Sequence, residues 1–271
     1  MRKVFLSLSL LILCVSPVLG QREKPASDAE LAEITERGRQ LAAYDVAAWY
    51  GSDAVTALSP PTGSVTRYVA RKTEKGWVVE FGHFNEPGDK FLITYEAVQG
   101  STPKEFKGSK IEPAREDTDF YFHAAKAIGT AMVDFKGEAR PYNAAALPTK
   151  SNQFYVYILP AQTKNGVFPL GGDARYLISA DGSKIVEKHQ MHVSIIEFGG
   201  NPQLKTIEMA FHTAVLDDAP EDSDVFHVLS RTPSVPEWVV SKKFVYNIQP
   251  DGSIKYLMTY DAFMKIGKAP E

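Results

Sequence analysis

The only cysteine of this 271-residue chain, Cys14, lies in a segment with the features of a secretory leader. Two basic residues precede an apolar run over 4–15 that is too short to span a bilayer, and small residues predict cleavage between Gly20 and Gln21. Removal of residues 1–20 leaves a chain without a thiol, so no disulfide can stabilise it. The sequence therefore predicts a protein whose fold depends on packing alone.

Two alternatives to this cleavage stay open. A retained membrane anchor needs about 20 apolar residues, and Pro17 ends the run before that length. A lipoprotein would be acylated at Cys14, but the residue before such a cysteine is small and here it is Leu13. Exported eukaryotic chains of this length commonly carry disulfides, whereas bacterial periplasmic proteins often lack them. The sequence favours a bacterial protein, periplasmic or secreted, with no transmembrane span after cleavage.

The charge of the mature chain excludes some classes of partner. The whole chain has 30 basic and 33 acidic side chains, and two of the basic ones leave with the leader, so the mature net charge is −5. This balance argues against binding of nucleic acid or of anionic lipid. The hydrophobic content of 44% supplies one large core or two medium ones.

The first part of the mature chain has the pattern of one helix followed by a meander. Residues 21–27 are predicted to be a flexible tether, after which Ser27 and Glu30 have the capping-box spacing that begins a helix. Apolar residues at three- and four-residue intervals extend that helix to about Tyr50, where Gly51 can end it. Alternating apolar residues then predict three antiparallel strands, at 67–73, 77–84 and 90–98.

The remainder predicts a second helix and many strands. Residues 101–116 are expected to form a loop, and a helix is expected from about Asp117 to Phe135. Eight strands are expected after it, at 142–147, 153–159, 175–179, 184–192, 204–214, 225–229, 238–248 and 253–258.

This order of elements predicts an α+β protein, mostly antiparallel sheet with two principal helices. The proposed units are a helix plus β-meander at 28–100 and a helix plus antiparallel strands at 117–271. A single domain over 28–271 and two related halves are both compatible with the pattern.

The density of histidines in the last third makes a metal the first chemical question. Four of the six histidines fall within 39 residues, between His189 and His227. His189 and His192 are expected on one strand, where their odd spacing sends them to opposite faces, so they make a poor chelating pair.

A second pair of histidines flanks an acidic segment. His212 and His227 enclose carboxylates that include Asp217, Glu221 and Asp224. A metal site from this segment would use His212, His227, Asp217 and Asp224 as ligands of zinc or another divalent ion, with Glu221 as general base. The alternative places His212 on the polar face of a strand and makes His227 a partly buried residue without a ligand.

About a dozen residues after His212 resemble the JAMM metalloprotease motif, in which His-x-His-Pro is followed by Ser and Asp. The chain departs from it at Ala214 and Val215, which replace the second histidine and the proline, and in the spacing of Ser223 and Asp224. No activity is carried over from this resemblance.

Two functions remain as hypotheses. No serine or cysteine nucleophile motif occurs in the sequence, so the leading hypothesis is a non-enzymatic cell-envelope binding or assembly module without a cofactor, whose partner is an envelope protein or a small ligand. The alternative is a metal-dependent hydrolase at the His/carboxylate segment.

Overall fold

The structure is a computed structural model that describes residues 22–200 and 207–266, so the predicted leader lies outside the described residues. The described chain is an α+β protein built mainly of antiparallel sheets, as the sequence predicts. In chain order the elements are α1 (Asp28–Thr56), β1 (Arg67–Thr73), β2 (Gly76–Phe84), β3 (Phe91–Gln99), β4 (Phe106–Asp117), α2 (Phe120–Asp134), β5 (Tyr142–Pro148), β6 (Phe154–Pro160), β7 (Val167–Gly171), β8 (Ala174–Ile178), β9 (Ile185–Gln190), β10 (Ile195–Gly199), β11 (Ala210–Thr213), α3 (Asp222–Ser230), β12 (Glu237–Val240), β13 (Phe244–Ile248), β14 (Ile254–Thr259) and α4 (Tyr260–Ile266). Among these residues, none of the helices combines the length and apolar character that a bilayer span requires.

The first helix, α1, begins where the capping box predicts. The Ser27 hydroxyl accepts a hydrogen bond from the Glu30 backbone N–H at 3.3 Å, and the Glu30 carboxylate accepts one from the Ser27 N–H at 2.9 Å. The predicted end near Tyr50 is wrong, because Gly51 lies inside the helix. A side chain at this glycine would begin 2.9 Å from Val79 of the underlying sheet. Its role is close packing and not helix termination.

The first sheet has the strand order β1-β2-β3-β4, and all its pairings are antiparallel. The three-strand meander is confirmed, but the prediction of a loop at 101–116 is wrong over most of its length, since β4 pairs with β3 there. An edge strand has one free side, and the side chains of β4 are mostly exposed. Such a strand needs few apolar residues, tolerates Pro113, and therefore shows no clear hydrophobic period.

The second long helix, α2, packs its alanines against two four-stranded sheets. Ala124, Ala127 and Ala131 are fully buried in a cluster that draws side chains from the first sheet and from a second sheet with the order β5-β6-β8-β9. Each long helix is thus followed by a four-stranded antiparallel sheet whose strands keep their chain order. The two helix-plus-sheet units meet between β4 and α2, downstream of most of the predicted loop.

The C-terminal part forms a third four-stranded sheet, β11-β12-β13-β14, in which β11 runs parallel to β12, and β7 pairs separately with β10. The strand predicted at 225–229 is wrong, since these residues lie in α3. The strand predicted at 238–248 is two strands, β12 and β13. Of the strand predicted at 204–214, residues 207–214 are described and only Ala210–Thr213 (β11) form a strand, while 204–206 fall outside the described residues.

Candidate metal centre

The first turn of α3 orients three acidic side chains toward three different partners. Glu221 precedes the helix and its carboxylate lies 2.8 Å from Nε2 of His189. Asp222 is fully buried and binds two arginines and a tyrosine, as its hydrogen bonds to Arg37, Arg175 and Tyr157 show. Asp224 accepts the backbone N–H of Glu221 on Oδ2 at 2.8 Å, which leaves Oδ1 for other contacts. Carboxylates at a helix N-terminus are favoured by the helix dipole.

Oδ1 of Asp224 faces two histidines that come from distant parts of the chain. His192 follows β9, His212 lies on β11, and all three side chains are buried. The Nε2 atoms lie 3.1 Å (His192) and 3.2 Å (His212) from Asp224 Oδ1, and the three atoms are within 4.8 Å of one another. Two imidazoles and a carboxylate therefore converge on one point.

The contacts at this point have the geometry of a shared ligand shell. The two N···O separations are short, and all three atoms are buried without a hydrogen-bond partner in the described residues. Buried polar atoms of this kind are rare and each costs about 1–3 kcal/mol. Ligands of a tetrahedral zinc ion at about 2.0–2.1 Å are roughly 3.3 Å apart. The observed separations from Asp224 agree with that spacing.

A carboxylate holds the far nitrogen of each imidazole. Nδ1 of His192 lies 2.9 Å from Asp173 Oδ1, and Nδ1 of His212 lies 2.7 Å from Glu237 Oε1. Asp173 and Glu237 are themselves buried. When Nδ1–H donates to a carboxylate, the lone pair of a neutral imidazole is on Nε2, which is the tautomer that a metal ligand needs. Both rings are thus oriented with Nε2 toward Asp224.

The same charges set the proton affinity of the centre. Burial would lower the pKa of His212, but Asp224 and Glu237 outweigh burial and raise that pKa to about 9. Burial would also lower the pKa of His192, but Asp224 and Asp173 outweigh burial and raise that pKa well above 6.5. Burial would raise the pKa of Asp224, yet His212 and His192 hold it well below 3.8. An ion bound by these side chains would therefore have to displace protons from the rings near neutral pH.

The structure brings together two of the residues that the sequence singles out, His212 and Asp224. His227 lies on α3 with Nδ1 3.0 Å from Glu237 Oε2, outside the group of three. Asp217 accepts a hydrogen bond from Nε of Arg22 at 3.3 Å and is not in the group either. Glu221, the suggested general base, binds His189 instead.

Sequence reasoning missed His192, Asp173 and Glu237. The sequence predicts His189 and His192 on one strand, but His192 lies beyond the end of β9, and the two side chains contact Glu221 and Asp224 at the start of α3. A usable signal for α3 was present, since acidic residues precede the apolar run and favour a helix N-terminus. No local signal marks Asp173 or Glu237, because both reach their histidines through the tertiary fold.

No protein-family model matches the chain, and neither the curated proteins nor the solved structures gave a match.

Proposed function

We propose that this protein binds one divalent transition-metal ion, zinc or a related ion, through Nε2 of His192, Nε2 of His212 and Oδ1 of Asp224. The observation that carries the proposal is the convergence of these three buried atoms, each without a hydrogen-bond partner in the described residues. Imidazole nitrogen and carboxylate oxygen are donors for zinc and for iron, cobalt and nickel. The carboxylates on the far side of both rings supply the outer contacts typical of metal-bound histidine.

The ion has a structural role in this proposal. Its ligands come from the segment after β9, from β11 and from α3, so one ion joins three parts of the chain that lie up to 32 positions apart in sequence. All three ligands are buried. A bond network of this kind substitutes for the disulfides that the mature chain is expected to lack. The protein is then an exported bacterial binding or assembly module, periplasmic or secreted, whose fold the metal stabilises.

A metal-dependent hydrolase is the second candidate. It is favoured by the donor set, because two histidines and one carboxylate also occur in catalytic zinc sites that keep a fourth position for water. Such a site needs contact with a substrate cleft. A cavity of about 680 Å³ in the described residues is lined by His227 and by none of the three ligands. This separation supports the structural role.

Metal analysis of the purified protein tests the proposal. We expect about one equivalent of metal after purification without chelator, and less than about a tenth of an equivalent in His212→Ala and in Asp224→Asn. His123→Ala is the control, since His123 lies on α2 away from the centre. A wild-type protein that takes up no zinc, cobalt, nickel, iron or manganese after incubation and desalting would falsify the proposal.

Cobalt substitution separates the two roles of the ion. Co²⁺ in the centre gives a visible spectrum that reports its ligands. With a buried structural ion, addition of azide leaves this spectrum unchanged; with a catalytic ion that has an accessible position, azide binds and the absorption bands shift. A shift on azide addition would favour the hydrolase.

A further inference from the structure

A cavity lies between α1, α3, β7 and the end of β6, and none of the three proposed metal ligands lines it. Its volume of about 680 Å³ is in the range of small-molecule sites. Its wall combines aromatic rings with a few polar groups. The residues that matter for its chemistry are Asp45, Trp49, Tyr50, Phe168, Phe226 and His227.

Asp45 is an anion in this wall that makes no ion pair or hydrogen bond with the described residues, and Lys104, which also lines the cavity, lies beside the Tyr50 ring. The carboxylate is half-buried on α1, and burial raises its pKa to about 6. No cation or hydrogen-bond donor among the described residues offsets that burial. A carboxylate on the protein surface is normally solvated, and a buried carboxylate is normally paired with a cation or a hydrogen-bond donor. An unpaired carboxylate at the wall of a cavity is suited to pair with a positively charged ligand.

Aromatic rings surround the space next to Asp45. Trp49 lies one helical turn further along α1, and its large apolar side chain remains 53% exposed. Phe168 and Phe226 lie across the cavity on β7 and α3. Faces of such rings attract ammonium groups and cover apolar bodies. The exposed Lys104 already illustrates this at the rim, where its ammonium lies 5.9 Å from the Tyr50 ring centroid.

His227 supplies a second polar group without a partner. Its side chain is 2% exposed, Nδ1 is held by Glu237, and Nε2 makes no hydrogen bond within the described residues. With Nδ1–H donated to the carboxylate, a neutral ring offers Nε2 as an acceptor. The wall therefore presents two polar side chains, Asp45 and His227, among aromatic rings.

We propose that this cavity binds a small organic cation, an amine or quaternary ammonium with an apolar body. The ammonium pairs with Asp45, and the apolar body contacts Trp49, Phe168 and Phe226. Anions are disfavoured by Asp45, and a neutral ligand leaves that carboxylate unpaired. None of the three metal ligands lines the cavity, so this proposal and the metal proposal fail or stand separately.

Calorimetric titration of the purified protein with matched probes tests the proposal. The cationic probes are benzyltrimethylammonium and benzylammonium, and benzyl alcohol is a neutral probe of similar shape. We expect the cations to bind at least about tenfold more tightly than the alcohol, and Trp49→Ala to weaken cation binding about two- to fivefold. Equal affinity for cation and alcohol, or no cation binding up to about 20 mM, overturns the proposal.

Asp45→Asn isolates the charge. It should weaken cation binding at least about tenfold and leave benzyl alcohol unaffected, because loss of one partner of a charge pair is costly. Asp53→Asn makes the same charge change on the same helix, at an exposed position outside the cavity wall, and should bind like wild type. Thermal unfolding checks that both variants are folded. Unchanged cation affinity in folded Asp45→Asn contradicts the proposal. If this variant does not fold, the comparison of cation with alcohol in the wild-type protein still tests the proposal.

Discussion

The metal-free protein should lose stability as the pH rises from 6.5 to 9.5. His212 has a pKa of about 9 in the folded chain against 6.5 without neighbours. A group whose pKa is raised by folding contributes stability that is fully present below pH 6.5 and is lost as the pH passes through about 9. At about 1.4 kcal/mol per pH unit between these values, His212 alone accounts for a loss of about 3 kcal/mol. The raised pKa of His192 adds to this loss.

The acidic members of the centre do not alter this window. The pKa of Asp224 is held well below its usual range, and that of Glu237 is lowered to about 2, in each case by the histidines and against the effect of burial. Their contribution to stability is present above about pH 4.5 and is lost only as the pH falls toward those lowered values. They remain ionised from pH 6.5 to 9.5.

The stability that a bound metal ion adds has the opposite pH dependence. Since a bound ion requires neutral imidazoles, its affinity rises as the rings lose their protons. At a free zinc concentration 1,000 times the dissociation constant, binding adds about 4 kcal/mol to the free energy of unfolding. Zinc should therefore restore, above pH 8, more stability than the metal-free protein has lost.

Urea unfolding measures both effects. The free energy of unfolding is determined at four pH values between 6.5 and 9.5 with chelator, and at pH 7.5 and 8.5 with buffered zinc. His212→Gln serves as the comparison, because it lacks the titrating ring and should show a smaller loss. A metal-free wild-type protein whose stability is flat or rises over this range refutes the assignment of raised histidine pKa values.

Two further predictions concern the packing around α3. Asp222→Asn should destabilise the protein by about 3–5 kcal/mol, since it leaves two arginines without their buried partner. The control Asp251→Asn changes an exposed ion pair and should cost less than about 1 kcal/mol. Urea unfolding midpoints compare the two variants, and equal costs would contradict the buried role of Asp222. Gly38→Ala should destabilise by at least about 1–3 kcal/mol, because its new methyl group would lie 2.5 Å from Cβ of Val225. Gly129→Ala, with its nearest contact at 3.7 Å, should instead stabilise α2 by about 0.5–1 kcal/mol. A stabilised Gly38→Ala would show that α1 and α3 are not in close contact.

Much of the local structure could be predicted from the sequence, because it depends on neighbouring residues. The pair Ser27 and Glu30 defines the start of α1, and alternation defines β1 to β3. Prediction fails where tertiary contacts decide. Gly51 looks like a helix end, yet it serves the contact of α1 with the first sheet, and the polar strand β4 is held by its pairing with β3.

The candidate site shows the same division. His212 and Asp224 lie in one acidic segment and could be selected together from the sequence. The β-branched and aromatic run from Val225 favours a strand, and reading it so hides the helix that orients Asp224. His192 joins the centre through the fold, from a segment 20 positions before His212. Its role could not be inferred from local spacing.

The donor atoms of the centre are nitrogen and oxygen only, on His192, His212 and Asp224. Peroxide or dissolved oxygen converts sulfur ligands to sulfenic acids or disulfides and so releases the metal they hold. Imidazole and carboxylate do not undergo this chemistry under such conditions. Because zinc itself has no redox chemistry, zinc loading of this centre should follow acidity and competing chelators, and be indifferent to whether the surroundings are oxidising or reducing.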